Sequence, residues 1–154
     1  MLHDFQLGGE RVRLWQRPGE SYEHILMKAL GYAAFAGKHP RMHIEKKIGL
    51  RYKPDLIMQN SGEPDFEFWG ECGANSIRKT HWILKHTRTK KLALFKIAPV
   101  SVEQLVRQLR EEIPERYRPK NRLVLINFVS DIVKLTESKQ IAKVSQDWFS
   151  ETEI

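Results

Sequence analysis

The chain has 154 residues, 41% of them hydrophobic and 29% charged, with 26 Lys and Arg against 19 Asp and Glu for a formal charge of +7. That length suits a single domain over residues 1–154, whose core needs no cross-link, and the lone Cys72 excludes an intrachain disulfide or a thiolate zinc cluster. No apolar run reaches membrane-spanning length and the N-terminus lacks a signal peptide's charged and apolar regions, so a cytoplasmic protein without a membrane partner is expected. The positive balance fits an anionic partner, nucleic acid first, or simply a soluble basic surface. Charge alone does not separate the two.

Phe5–Leu7 and Arg11–Gln16 are predicted to form a hairpin turning at Gly8-Gly9. Arg17-Pro18-Gly19 ends it. Apolar residues at three-to-four spacing predict a helix from about Glu20 to Phe35, stopped by Gly37 to Pro40. Met42–Leu50 and Tyr52–Gln59 read as strands, the turn-forming stretch from Asn60 to Asp65 as a loop, and Phe66–Cys72 as a third strand. Asn75 or Ser76 is placed to cap a helix running to His86. Leu92–Ile97, apolar almost throughout, reads as a central strand, and Pro99–Ile113 as an amphipathic helix. After a polar loop at 114–119, strands are predicted at Leu123–Val129, Ile132–Leu135 and Ile141–Phe149. The whole is a mixed α/β chain with helices packed on a sheet.

Charge is distributed unevenly along this frame. Five acids and no Lys or Arg lie between Pro54 and Ile77, whereas Ala74–Val102 carries seven bases and no acid. If Gln59 pairs with Glu67 across the turn, Asp55 faces Glu71, and the two share one face of the hairpin. Carboxylates that close repel unless a cation or proton lies between them. Oxygen-only ligation of this kind suits Mg²⁺ or Mn²⁺ rather than zinc. The plain alternative is a solvated sheet face, against which the bulk of Phe66, Phe68 and Trp69 counts.

Glu20 and Glu23 open the first helix, where acids favour the helix dipole, and Glu23 lies at the edge of the buried stripe within reach of the sheet. Lys79 stands in the first turn of the next helix, a position that the dipole disfavours for a cation. It is either a solvated lysine or one placed for function.

Pro54-Asp55 on one strand and Glu71-Cys72-Gly73 on the next resemble the core of the PD-(D/E)XK nuclease superfamily, and more closely its YaeQ-like family. The resemblance includes R-P-G-E-S-Y-E-H at 17–24, P-D-L at 54–56, E-C-G at 71–73, I-R-K at 77–79, V-S-D-I-V-K-L-T-E at 129–137 and A-K-V-S-Q-D-W-F at 142–149. It runs from about Leu14 to Phe149. It implies a restriction-endonuclease-like core, α-β-β-β-α-β, with an added N-terminal hairpin and C-terminal strands. Asp55 and Glu71 would then be metal ligands, with the Cys72 carbonyl as a third and Glu23 as the helical acid. Gly73 stands where the superfamily has its lysine, and Lys79 from the following helix would replace it, with Arg78 or Lys85 as other candidates.

The function so implied is a Mg²⁺- or Mn²⁺-dependent nuclease hydrolysing phosphodiester bonds. Arg78, Lys85, Arg88, Lys90 and Lys91, with Lys38, Arg41, Lys46 and Lys47, would neutralise nucleic-acid phosphates, DNA or RNA. Trp82 is read as either packing or a base-stacking platform. The alternative is a degenerate nuclease-fold module that binds nucleic acid or a protein partner without cleavage. A third reading makes the acids an ion-pair network with no ligand.

Overall fold

The computed structural model describes residues 1–60, 65–98 and 102–154. The chain opens as a hairpin of β1 (Leu2–Leu7) and β2 (Glu10–Trp15), to which the short β9 (Gln140–Ile141) adds parallel to β1. Helix α1 (Tyr22–Phe35) starts where the Ser21 hydroxyl accepts the His24 N–H at 3.2 Å, satisfying a donor that the first turn leaves free.

There follow β3 (His43–Ile44), β4 (Leu56–Gln59), β5 (Asp65–Cys72), α2 (Ile77–His86) and β6 (Arg88–Thr89). Then come β7 (Leu92–Ile97), α3 (Glu103–Glu112), β8 (Leu123–Phe128), α4 (Ile132–Leu135) and β10 (Phe149–Glu153). Strands order as β10-β8-β7-β5-β4-β3 in a mixed sheet, with β6 also pairing β5. β5, β7 and β8 run parallel at its centre, and their apolar runs bury both faces.

One face carries Leu56, Phe68, Phe95 and Ile126 against α1 and the small sheet. The other carries Ile57, Trp69, Leu94 and Leu125 against Ile83 and Leu84 of α2 and Val106 and Leu109 of α3. Gly31 lets α1 lie close on its face. A Cβ there would come within 2.7 Å of Leu56 Cδ1 and 3.1 Å of Phe95 Cζ, so that a side chain would force Leu56 to shift. That approach brings the start of α1 to the end of β4 and β5 where the acids lie.

Several sequence-based expectations are corrected. Between Met42 and Leu50 only His43 and Ile44 are strand, because the backbone turns left-handed at Glu45 (φ 55°) and again at Gly49 (φ 75°). Tyr52–Pro54 is likewise not strand, since β4 starts at Leu56. Ile132–Leu135 is a short helix, not a strand. The expected strand Ile141–Phe149 splits, its start pairing in the small sheet and its end opening β10 in the large one. β6 was not anticipated. Most of the predicted 60–65 turn, and the start of the predicted 99–113 helix, lie outside the described residues.

Candidate active site

The hairpin register holds for three pairs: Leu56 with Gly70, Ile57 with Trp69 and Met58 with Phe68. A bulge then pairs Gln59 with Phe66 instead of Glu67. Continued the other way, the same register sets Asp55 opposite Glu71 at the end of the two strands.

Their carboxylates find different partners. Asp55 Oδ2 accepts the Cys72 backbone N–H at 2.8 Å, and its Oδ1 faces His24 Nε2 of α1 at 3.3 Å. Glu71, only 3% exposed, accepts from Trp69 Nε1 at 2.9 Å through one oxygen and from Lys79 Nζ at 3.1 Å through the other. Lys79 also lies over the Tyr52 ring, 5.1 Å from its centroid. Ser76 makes this reach possible: its hydroxyl accepts the Lys79 N–H at 3.0 Å and starts α2 directly beyond the turn at Gly73.

A second charged group adjoins the first. Lys28, 1% exposed, donates to Glu20 Oε2 at 2.8 Å and to Glu45. His24 Nδ1 lies 3.8 Å from the same Glu20 oxygen, so the ring stands between Glu20 and Asp55. Glu20, His24 and Lys28 recur every four residues, a polar stripe along α1 that the sequence displays and the apolar pattern overshadows. Lys96 on β7 is the other unexpected member, donating to the Gly73 carbonyl.

The electrostatics divide the two acids. Burial, then the charge of Asp55, pushes the Glu71 carboxyl up to about 7, with Lys79 and the Trp69 bond pulling the other way. Burial also raises Asp55, but the His24 ring and the Cys72 amide outweigh it and hold that carboxyl below its usual range. Burial first, then Asp55 and Glu71, keeps the Cys72 thiol well above its ordinary value, so its sulfur remains protonated.

A test follows from Glu71 in chelator-containing buffer. Between its ordinary value of 4.5 and about 7, the folded protein holds a proton that the unfolded chain releases. Its contribution to stability is therefore full below pH 4.5 and lost as pH rises through 7, on the order of 3 kcal/mol. Asp55, shifted down from 3.8, acts with opposite sign and only at lower pH. Urea unfolding of Glu71→Gln should show a flatter pH profile than the wild type and greater stability at pH 8. Parallel profiles would mean that Glu71 bears no such burden.

The remaining expected residues are not all gathered here. Glu23 is exposed on α1, and that helix reaches the acids through His24, with Glu20 and Lys28 behind it. Arg78 and Lys85 are exposed on α2. Arg88 lies beside the start of β5, six residues or roughly 20 Å from Glu71, and Lys90 and Lys91 follow along that strand, where the Lys91 carbonyl accepts the Trp69 N–H at 2.9 Å. There Lys90 bonds Glu67 at 2.7 Å and Lys91 meets Glu151 at 3.4 Å. Arg88 Nε sits 2.8 Å from Asp65 Oδ1 without the alignment of a hydrogen bond.

Among the described residues no group of three or more His, Cys, Asp or Glu side chains is placed to hold a metal ion. An all-protein cage for zinc or calcium is thus not formed there. Mg²⁺ demands less, since it keeps several waters and commonly takes only one or two carboxylates. Asp55 and Glu71 are the two carboxylates that such an ion would use here, and the charge of Asp55 bears on Glu71.

Fold, acid pair and lysine together define a mixed α/β protein with a charged site at the end of its central strands. Comparison with protein-family models gives no match, and comparison with curated proteins gives none either. Among solved structures the chain is similar to the YaeQ protein from Xanthomonas axonopodis pv. citri, at a TM-score of 0.62 and 17% identity over 94% of this chain and 84% of that one. It is also similar to the YaeQ protein from Pseudomonas syringae, at 0.58 and 13% over 92% and 81%. The chain has a YaeQ-like fold. No helix among the described residues is long and apolar enough to cross a membrane.

Proposed function

We propose that this chain is a Mg²⁺- or Mn²⁺-dependent nuclease that hydrolyses nucleic-acid phosphodiester bonds at Asp55, Glu71 and Lys79. The observation that carries this reading is the 3.1 Å contact from Lys79 Nζ to Glu71 Oε2, beside an acid whose charge already bears on Glu71. With the two-residue β6 set aside, the element order α1-β3-β4-β5-α2-β7 supports reading the chain through the PD-(D/E)XK core that the sequence motifs resemble.

Gly73 explains why the lysine would come from a helix. The backbone there is left-handed, φ 81°, as β5 ends. A side chain at that position is strained by roughly 1–2 kcal/mol. Gly73→Lys, which rebuilds the E-x-K spacing, should therefore lose about that much stability on urea unfolding and should not rescue a Lys79→Met variant in cleavage assays. Full rescue would show that position 73 can serve after all.

In this reading Asp55 and Glu71 hold the ion through oxygen, with the Cys72 carbonyl as a further donor. When bound, the ion supplies a more acidic water and charge stabilisation at the phosphoryl oxygens. The chain's own groups do the rest. The Cys72 amide and His24 fix the Asp55 carboxylate, and the Trp69 indole fixes that of Glu71. Lys79 on Glu71 is poised to turn to a phosphoryl oxygen and offset its developing charge. Arg78 and Lys85, exposed on the same helix, face the phosphates of a strand lying along it.

The second reading, a nucleic-acid-binding module without cleavage, has its own support. All four carboxylate oxygens of Asp55 and Glu71 already face a protein donor or imidazole nitrogen, so the pair is accommodated without an ion. Incubating labelled single- and double-stranded DNA and RNA with Mn²⁺, Mg²⁺ or chelator separates the two. Cleavage with the ions and none with chelator supports the nuclease, and salt-sensitive binding without cleavage supports the module.

A further inference from the structure

Beyond the acid pair, one side of α2 carries features that the proposed reaction leaves unused. The Tyr52 ring, under Lys79, meets Trp82 edge-on at 5.3 Å between centroids, and Trp82 lies over His86 at 5.0 Å and 35°. These rings form a ladder from the acid end of α2 to its C-terminus, about 10 Å along the helix axis from Lys79 to His86. Tyr52 and Trp82 are half-buried and His86 is exposed.

The ladder ends at a cavity of about 270 Å³ walled by Ile48, Leu50 and Phe66, with Gln59, His86, Thr87 and Arg88 as its polar members. Leu50 is exposed at 42% and adds apolar surface to that wall. The Gln59 side-chain amide makes no hydrogen bond among the described residues, so it has both donors and an acceptor to offer. Arg51, Lys53 and Lys85 stand exposed beside the track.

We infer that this side of α2 is a binding track for single-stranded nucleic acid, its Trp82–His86 rings stacking one unpaired base against the Ile48–Leu50–Phe66 cavity. The inference rests on the nucleic-acid reading above and specifies the substrate as a strand whose bases are free. Every base has a π-face, so rings take it without regard to sequence, and exposed cations along the track neutralise the backbone. Gln59 is placed to bond the edge of the base. A duplex keeps its bases paired and stacked, and offers neither face nor edge to such a cavity.

The test is fluorescence anisotropy in chelator, where binding is read without cleavage. The probes are labelled oligothymidine, oligouridine, an abasic strand of equal length and charge, and a duplex. The base-bearing strands should bind about tenfold more tightly than the abasic strand and the duplex, as one stacked base allows. Trp82→Leu, which keeps the wall apolar, and the exposed His86→Ala should each bring the thymidine and uridine strands down to the abasic level. Equal binding of abasic and base-bearing strands, or tighter binding of the duplex, overturns the inference. If no strand binds, the nucleic-acid reading falls with it, whereas a preserved base preference without Mn²⁺-dependent cleavage removes only the hydrolase.

Discussion

Asp55→Asn and Glu71→Gln will each lower Mn²⁺-dependent strand cleavage by at least about 10²-fold while leaving the fold intact. Both changes are close to isosteric and keep one acceptor oxygen, for one of the two partners at each site: the Cys72 amide or His24 at Asp55, and Trp69 or Lys79 at Glu71. What they remove is negative charge at the point where an ion would be held. Lys79→Met should cost a comparable factor in turnover and less in strand affinity, because its cation is needed where charge develops. Cleavage assays with circular dichroism of each variant decide the matter. Wild-type turnover in either acid variant would remove the pair from the mechanism.

Lys28→Met will destabilise the protein by about 3 kcal/mol at pH 7. Its ammonium is 1% exposed and paired to both Glu20 and Glu45, so removal leaves two carboxylates facing each other beside Asp55. Burial works against the Lys28 cation, yet the two acids outweigh it and hold its pKa above the usual value. Adding Glu20→Gln and Glu45→Gln to Lys28→Met should restore most of the loss, since neutral amides need no counter-charge. Denaturant unfolding of the wild type, the single variant and the triple variant measures both effects. A loss below about 1 kcal/mol would place the group among weak surface pairs.

How much of this was legible varied with the physics behind each feature. The register that pairs Leu56 with Gly70, Ile57 with Trp69 and Met58 with Phe68 was legible because strand periodicity leaves few registers. The bulge at Met58 and Gln59 left no mark in the sequence, and it is why Glu67 lost its expected partner. The short apolar stretch at 132–135 was too brief for its period to distinguish helix from strand. Glu45 was misread for a different reason. A glutamate with φ 55° is unfavourable on local grounds, and it is held there by the Lys28 pair and by its own N–H bonding the Asp55 carbonyl at 2.9 Å.

The candidate site followed the same division. Residues on the hairpin were found from alternation, whereas His24, Lys28 and Lys96 come from elements that only the tertiary fold brings near. The first two belong to a four-residue polar repeat that was readable in principle. The basic run at 88–91 follows α2, which returns the chain to the start of β5, so that Arg88 pairs beside Asp65 and Lys91 beside Trp69.

Anomalous diffraction from crystals soaked in Mn²⁺ tests the central claim most directly. The nuclease reading predicts a peak within roughly 2.2 Å of one oxygen each from Asp55 and Glu71, with Lys79 turned away from Glu71. An undisturbed Lys79–Glu71 pair, with manganese found only at surface acids or nowhere, would contradict it.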